Sequence, residues 1–548
     1  VEPFKALGKP RLAALITAGN LDSMLNEKTA AKKFRRKDNY SPGGEAGRRP
    51  ERATIVYANR MREAYKDVPI VIGGIEASLR RFAHYDYWSN KVRHSILLDS
   101  KADILSYGMG EHSVVEIADA LAEGKTVAEM YNIRGICYVT SHAPVSAHTV
   151  MCPSYEEVKA SKKAFAKAFK IQYEEQDPFY GRTIIQPSEN RFLVQTPPAL
   201  PLTTKEMDAI YELPFQRRWH PDYDAVGGVP ALQEVQFSLT SQRGCFGHCH
   251  FCAITSHQGP IIQNRSHESL IREAKKMTHL PNFKGYIHDV GGPTANFRHP
   301  ACQKQLKAGV CKNKHCIGSE TCPNLDTSHE DYRKLLKEIR SIPGIKKVFV
   351  RSGLRYDYVL ADHNKKFVEE LCQYHVSGQL KVAPEHVVKH VTDLMGKADI
   401  RAFLKFKEWF DEANHKLGKK QYLVPYFMSS HPGCTLDDAI ALAEFLRDMH
   451  MQPEQVQDFI PTPGSLSTAM YYTGMNPLTG ESVYVARRPE EKQMQRALMQ
   501  YKNPANYDVV YKALCLAGRK DLIGFGPKCL IAPRHIRKER GRQQSSFH

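Results

Sequence analysis

Cys245, Cys249 and Cys252 stand at C-x3-C-x2-C spacing on one short stretch. Three thiolates so placed can hold three corners of a cubane iron–sulfur cluster, whereas an electron-transfer cluster is ordinarily closed by four. The fourth iron is then open to a further ligand, which points to chemistry rather than electron storage. His248, His250 and His257 interleave with the cysteines, so a zinc site of mixed Cys and His ligands is the rival reading. Structural zinc sites usually bring two ligand pairs separated along the chain, and here the ligands crowd into one loop.

A second group, Cys302, Cys311, Cys316 and Cys322, has C-x8-C-x4-C-x5-C spacing. The stretch 300–325 holds little apolar material, so it needs a staple to fold. Four thiolates suit zinc or a second iron–sulfur cluster, and the spacing does not choose between them. Unligated thiols are the alternative. Cys137, Cys152, Cys372, Cys434 and Cys515 read as small buried residues.

The elements that position these groups repeat strand then helix. Apolar runs at 235–240, 285–290, 347–351, 380–383, 422–427 and 456–460 read as short buried strands. Helical periodicity fills the intervals, with Thr435 and Asp438 set as a capping box. Six such units over residues 231–475 predict an α/β fold, a partial (β/α)6 barrel carrying the Cys-rich stretch as an insertion. Function in such folds gathers where the strands end. The three-cysteine loop follows the first strand. Gly291-Gly292-Pro293 follows the second, Arg351-Ser352 and Arg355 the third, Glu385 the fourth and Ser429 the fifth. A tight turn is the plain alternative for the glycines, and a local salt bridge for the arginines and Glu385.

Upstream, residues 1–150 alternate short strands and helices in the manner of a Rossmann-like, doubly wound sheet. Gly73-Gly74 falls short of a dinucleotide fingerprint, so a tight turn is the better reading. Residues 151–230 read as a charged helix followed by a Pro-rich extended connector. Residues 476–548 form a C-terminal extension with a basic tail.

The chain has 548 residues and a net charge of +18. Basic runs at 32–37 and 534–542 make RNA a conceivable partner through long-range attraction. No apolar stretch is long enough to span a membrane, and the polar start lacks a secretory pattern. Thirteen cysteines, many at ligand spacing, predict metal binding in a reducing cytoplasm. The first residue is Val1, so residues upstream are expected.

The cysteine loop, with Phe251 before its last cysteine, resembles the signature of radical S-adenosylmethionine (SAM) enzymes. Five further stretches, at 73–81, 84–88, 289–296, 382–386 and 458–465, resemble the YgiQ-type family of bacterial radical SAM proteins over nearly the whole chain. The resemblance implies SAM, a 4Fe-4S cluster held by Cys245, Cys249 and Cys252, and an electron donor such as flavodoxin or ferredoxin. It makes Gly291, Gly292 and Pro293 the receivers of the SAM amino group. Ser352 and Glu385 become candidates for its ribose or carboxylate, Arg351 or Arg355 for the carboxylate, and Ser429 for the adenine turn. The implied activity is reductive SAM cleavage to a 5′-deoxyadenosyl radical, with no substrate specified. Alternatives are an RNA-modifying methylthiotransferase, a cobalamin-dependent methyltransferase, or a non-catalytic iron–sulfur or zinc protein that binds nucleic acid or senses redox state. The first domain is similar to cobalamin-binding domains, yet no Asp-x-His-x-x-Gly loop occurs.

Overall fold

A computed structural model describes residues 1–453 and 456–534 of the chain. It is an α/β protein. The N-terminal sheet has seven strands: β1 (Ala14–Ile16), β2 (Ile70–Ile72), β3 (Ile104–Ser106), β4 (Ile136–Thr140), β5 (Thr149–Met151), β6 (Thr183–Ser188) and β7 (Arg191–Gln195). Their order is β1-β2-β3-β4-β7-β6-β5. β1, β2 and β3 run parallel, and β4 then pairs antiparallel with β3 and with β7. The sheet is therefore mixed, not the doubly wound parallel sheet expected. The reason lies in residues 183–195, read from sequence as connector. They carry consecutive buried side chains, Ile184 to Gln186 and Leu193 to Gln195, and fold as a hairpin whose β7 pairs with β4. The Pro-rich stretch from Thr196 to Thr203 lacks regular structure, as does 212–220. Gly73-Gly74 makes a tight turn from β2 into the helix Gly74–Leu79.

The second region carries parallel strands that neighbour one another in chain order. β8 (Ser238–Thr240) pairs with β10 (Asp289–Gly291), and β9 (Tyr286–Ile287), the first half of the same strand, pairs with β11 (Lys347–Val348). A parallel bridge from Leu354 to Val382 leads to β12 (Gln379–Glu385), which pairs with β13 (Tyr422–Ser429), and β13 pairs with β14 (Gln457–Asp458). All six expected strands are present; those at 238–240, 347–348 and 457–458 are shorter than expected, whereas those at 379–385 and 422–429 are longer. Among the described residues the pairing forms an open arc in several pieces, and it does not close a barrel. The first strand starts at Ser238 rather than Val235, because Val235 ends a short helix and Arg217 takes the Gln236 carbonyl at 2.6 Å.

The helices behind the arc follow their periodicity. Leu436–Asp448 begins at the expected capping box, in which Thr435 and Asp438 exchange backbone and side-chain bonds. Lys366–Glu370 continues as a π-turn over Leu371–His375, and His375 Nδ1 reaches the Val348 carbonyl at 2.8 Å, fixing that turn to β11. One apolar core lies behind the arc, from Phe237 to Ala413. A second joins the N-terminal sheet to residues of 391–531, so the C-terminal extension packs with the first domain. Among the described residues no helix is long and apolar enough to cross a membrane. Most of the basic tail, 535–542, lies outside the described residues.

Candidate functional site

The cysteine loop leaves β8 through Ser241 and Gln242, which are pinned to the neighbouring strand end. Ser241 N–H donates to the Gly291 carbonyl at 2.7 Å, and Gln242 Nε2 donates to the carbonyls of Thr294 at 2.8 Å and Ala295 at 3.2 Å. This lays the Gly291-Gly292-Pro293 turn directly against the loop. A Cβ on Gly292 would sit 2.4 Å from the Gln242 carbonyl oxygen, so backbone approaches backbone there as only glycine permits.

Sulfur in this loop is met by donors. Gly247 N–H donates to Cys245 Sγ at 3.4 Å, and the Thr294 hydroxyl lies 3.5 Å from the same sulfur. Arg355 Nη1 donates to the Gly247 carbonyl at 3.2 Å and to Cys249 Sγ at 3.5 Å. A Cβ on Gly247 would stand 2.7 Å from that Nη1, so the glycine between the cysteines lets the arginine in. The other edge of the guanidinium is forked onto Asp357 at 2.8 and 2.6 Å. Asn296, from the glycine turn, holds the Arg355 backbone on both sides. Burial raises the thiols of Cys245 and Cys252, the latter to about 12 with help from Cys249. As free thiols they keep their protons, and a metal must displace them.

Among the described residues no three His, Cys, Asp or Glu side chains are closed up as a metal cage. The donor set nevertheless fits a cluster: three thiols on one loop, with N–H and guanidinium groups aimed at sulfur. The interleaved histidines His248, His250 and His257 are half-buried, and desolvation keeps them neutral. Burial and His315 bring His248 down to about 3 and His250 to about 4, and His250 Nδ1 is spent on the Leu394 carbonyl at 3.0 Å.

Glu385 ends β12 at an irregularity in its pairing, in the left-handed region at φ 69°. Its carboxyl is buried, Oε2 has no hydrogen-bond partner among the described residues, and desolvation raises its pKa against the pull of Lys397 and Arg355. Glu385 thus joins a strained backbone to an unsatisfied buried carboxyl oxygen at a strand end. Ser352 gives its hydroxyl to Asp289, whose other oxygen accepts the backbone N–H groups of Arg351 and Ser352 at 2.7 and 3.0 Å. Ser429 gives its hydroxyl to Asp458 at 2.6 Å. Arg351 points to the surface, where it lies 3.9 Å from Glu234. The arginine at the cysteines is Arg355.

The structure brings the glycine turn, Arg355 and the cysteine loop together. Asp289, Asn296, Gln242 and Asp357 were missed as site residues. Asp289 and Asn296 frame the quoted glycine motif, a signal that was available, whereas Gln242 and Asp357 carry no motif at all.

The second cysteine group adjoins the first. Cys302, Cys311 and Cys322 lie close enough to Cys316 to reinforce its burial in raising that thiol to about 12. Cys316 and Cys322 pack on the same apolar cluster as Cys245, built on Phe246 stacked against Phe297 at 3.7 Å. A cavity of about 60 Å³ is lined by Cys249 and Cys252 and also by Cys311. The two groups are neighbours. Cys137, Cys152, Cys372 and Cys434 are buried, while Cys515 is half-exposed.

The fold and site thus define an α/β protein with a three-thiol loop at the end of a parallel strand. Residues 1–238 match the family model described as radical SAM N-terminal, and 454–548 match a domain of unknown function, DUF3362. A UPF0313 protein of Clostridium perfringens strain 13 is 57% identical over 532 residues, covering 97% of this chain and 80% of the relative. A UPF0313 protein of Clostridium botulinum strain 657 is 55% identical over 531 residues, covering 97% and 83%. The chain belongs to the UPF0313 family, of YgiQ type. Among solved structures, the radical SAM methyltransferase TsrM from Kitasatospora setae with cobalamin and a 4Fe-4S cluster aligns at TM-score 0.49 and 12% identity, covering 100% of this chain and 84% of that one. The cobalamin-dependent radical enzyme OxsB aligns at TM-score 0.41 and 12% identity, covering 78% and 46%. Both are loose likenesses.

Proposed function

We propose that the chain is a radical SAM enzyme whose open arc of strands acts as a partial (β/α)6 barrel. The observation that carries this reading is the three-thiol loop laid against Gly291-Gly292, with Arg355 donating to Cys249. When bound, a 4Fe-4S cluster and SAM supply reductive cleavage to methionine and a 5′-deoxyadenosyl radical. Cys245, Cys249 and Cys252 hold the cluster, and Arg355 and Gly247 N–H temper the charge on its sulfur ligands. The backbone of Gly291-Gly292-Pro293 receives the amino-acid head group, and the unpartnered carboxylate of Glu385 accepts a polar group of the cofactor. Ser352 and Ser429 are held by Asp289 and Asp458 at the rim. The second cysteine group holds zinc or a further iron–sulfur cluster. An external flavodoxin or ferredoxin supplies the electron.

The test is anaerobic reconstitution, reduction with dithionite, and measurement of 5′-deoxyadenosine and methionine. Wild-type protein is expected to form both, and Cys249→Ala neither. Retention of product in Cys249→Ala, or none in a wild-type sample of full iron and sulfide content, excludes the proposal. The same assay separates it from a non-catalytic iron–sulfur or zinc protein.

A further inference from the structure

Beside the strand ends of β13 and β14 lies a cavity of about 750 Å³, within the range of about 300–1,000 Å³ typical of small-molecule sites. Its wall carries Lys32, Lys33, Arg487, Lys492 and Arg496 against a single carboxylate, Asp458. That carboxylate is already shared by Ser429 and Arg496. Among the described residues Lys32, Lys33, Arg487 and Lys492 form no ion pair; three of them lie by tyrosine rings and donate only to neutral oxygens, Lys492 to the Tyr471 hydroxyl at 2.8 Å, Arg487 to the Tyr472 carbonyl at 3.1 Å and Lys32 to the Trp88 carbonyl at 3.4 Å. Lys32 Nζ is 4.6 Å from the Tyr87 ring centre, Lys492 Nζ 4.7 Å from that of Tyr471, and the Arg487 guanidinium 5.6 Å from the latter. Ring faces hold a cation weakly, leaving its charge available to an anion. Burial, opposed by Asp458 and Glu491 and reinforced by Arg487, brings Lys492 down to about 8.

A second observation is independent of charge. Ser430 lines the cavity in the left-handed region at φ 60°, is buried, and its hydroxyl has no partner among the described residues. The wall beside the cations thus holds a strained residue with an unsatisfied buried hydroxyl. Two successive ring contacts link the cavity wall to the cysteine loop. Phe459 in its wall is 5.3 Å from the His431 ring, which is 6.1 Å from Phe251, next to Cys252.

We infer that this cavity binds a small organic polyanion, a phosphate or polycarboxylate whose negative charges meet Lys32, Lys33, Arg487 and Lys492 and whose carbon skeleton lies against Tyr87 and Tyr471. As the substrate pocket of the radical chemistry it rests on the function proposed above; as a binding site it does not.

Calorimetric titration of the full chain at fixed salt tests it, with inorganic pyrophosphate, adenosine 5′-monophosphate, citrate and a single-stranded oligonucleotide as probes. Pyrophosphate and at least one of the two small organic anions are expected to bind. Lys492→Gln and Arg487→Gln are each expected to weaken them by roughly tenfold or more, and Lys420→Gln on the far surface to leave them unchanged. Loss with adenosine monophosphate marks a phosphate ligand, and loss with citrate a carboxylate. Lys33→Gln, at an exposed position, gives a weaker loss that no folding defect explains. Equal affinity in all variants, no binding by any small probe, or binding of the oligonucleotide alone overturns the inference. Absent binding with intact 5′-deoxyadenosine formation removes only the pocket, whereas binding without 5′-deoxyadenosine removes only the radical reading.

Discussion

Arg355 divides its guanidinium between a carboxylate and the cysteine loop: one edge forks onto the buried Asp357, and Nη1 lies 3.5 Å from Cys249 Sγ and 3.2 Å from the Gly247 carbonyl. Replacing it by Met leaves Asp357 buried and unpaired, a loss of about 3–5 kcal/mol in such settings. The positive donor at the sulfur disappears as well. Arg355→Met is therefore expected to unfold at markedly lower denaturant and, once reconstituted, to show a more negative cluster potential, because donors at sulfur favour the reduced state. Arg355→Lys should recover part of the potential. A redox titration with unchanged potential in Arg355→Met would show that the arginine serves the fold alone.

Glu385 is expected to weaken the fold as pH rises. Its folded pKa is raised above the ordinary 4.5, so the protonated form is the one the fold prefers. The associated stability is complete below pH 4.5 and is lost as pH climbs through the folded value. Glu385→Gln, neutral at every pH, should melt higher than wild type at pH 8, with the difference shrinking towards pH 4.5. SAM affinity should fall in the same variant. A pH-independent gap in melting temperature would contradict the burial argument.

Gly292→Ala should distort the turn, since the added methyl meets backbone at 2.4 Å and no side chain can swing away. A loss of about 1–3 kcal/mol is expected, together with loss of SAM binding. Gly353→Ala, whose Cβ would meet nothing within 4 Å, is the control. Thermal melts and SAM titration of both variants decide the point.

The nearness of the two cysteine groups makes a sharp comparison. Cys316→Ser should lower the metal content and open 300–325 to proteolysis. Cys311→Ser should leave 5′-deoxyadenosine formation intact if the cluster has only three protein ligands. Loss of cluster spectrum in Cys311→Ser would make Cys311 a fourth ligand and close the iron.

The strand-end loops were legible because their residues are short motifs on a repeating βα pattern. The cysteine spacing, the Gly-Gly-Pro turn and the capping box at Thr435 all act within a few residues of chain. The choice between Arg351 and Arg355 was open for the same reason: the two arginines look alike in sequence, and only the turn into the helix Tyr356–Ala361 decides which faces inward. The hairpin 183–195 was hidden by its flanking prolines, since its partner β4 lies over 40 residues earlier in the chain. Long-range pairs such as Gln242 with Thr294 leave no local trace.

The core that joins the N-terminal sheet to residues 391–531 sets a timetable for biosynthesis. Leu193 leaves the ribosome long before Ile531, and at 5–20 residues per second the interval is roughly 20–70 s. Throughout it the apolar face that will receive the last helices is bare to the cytosol of any host expressing the chain. A nascent chain of this design needs holding by a chaperone, and shortening it at its C-terminus should yield aggregates rather than a tidy first domain.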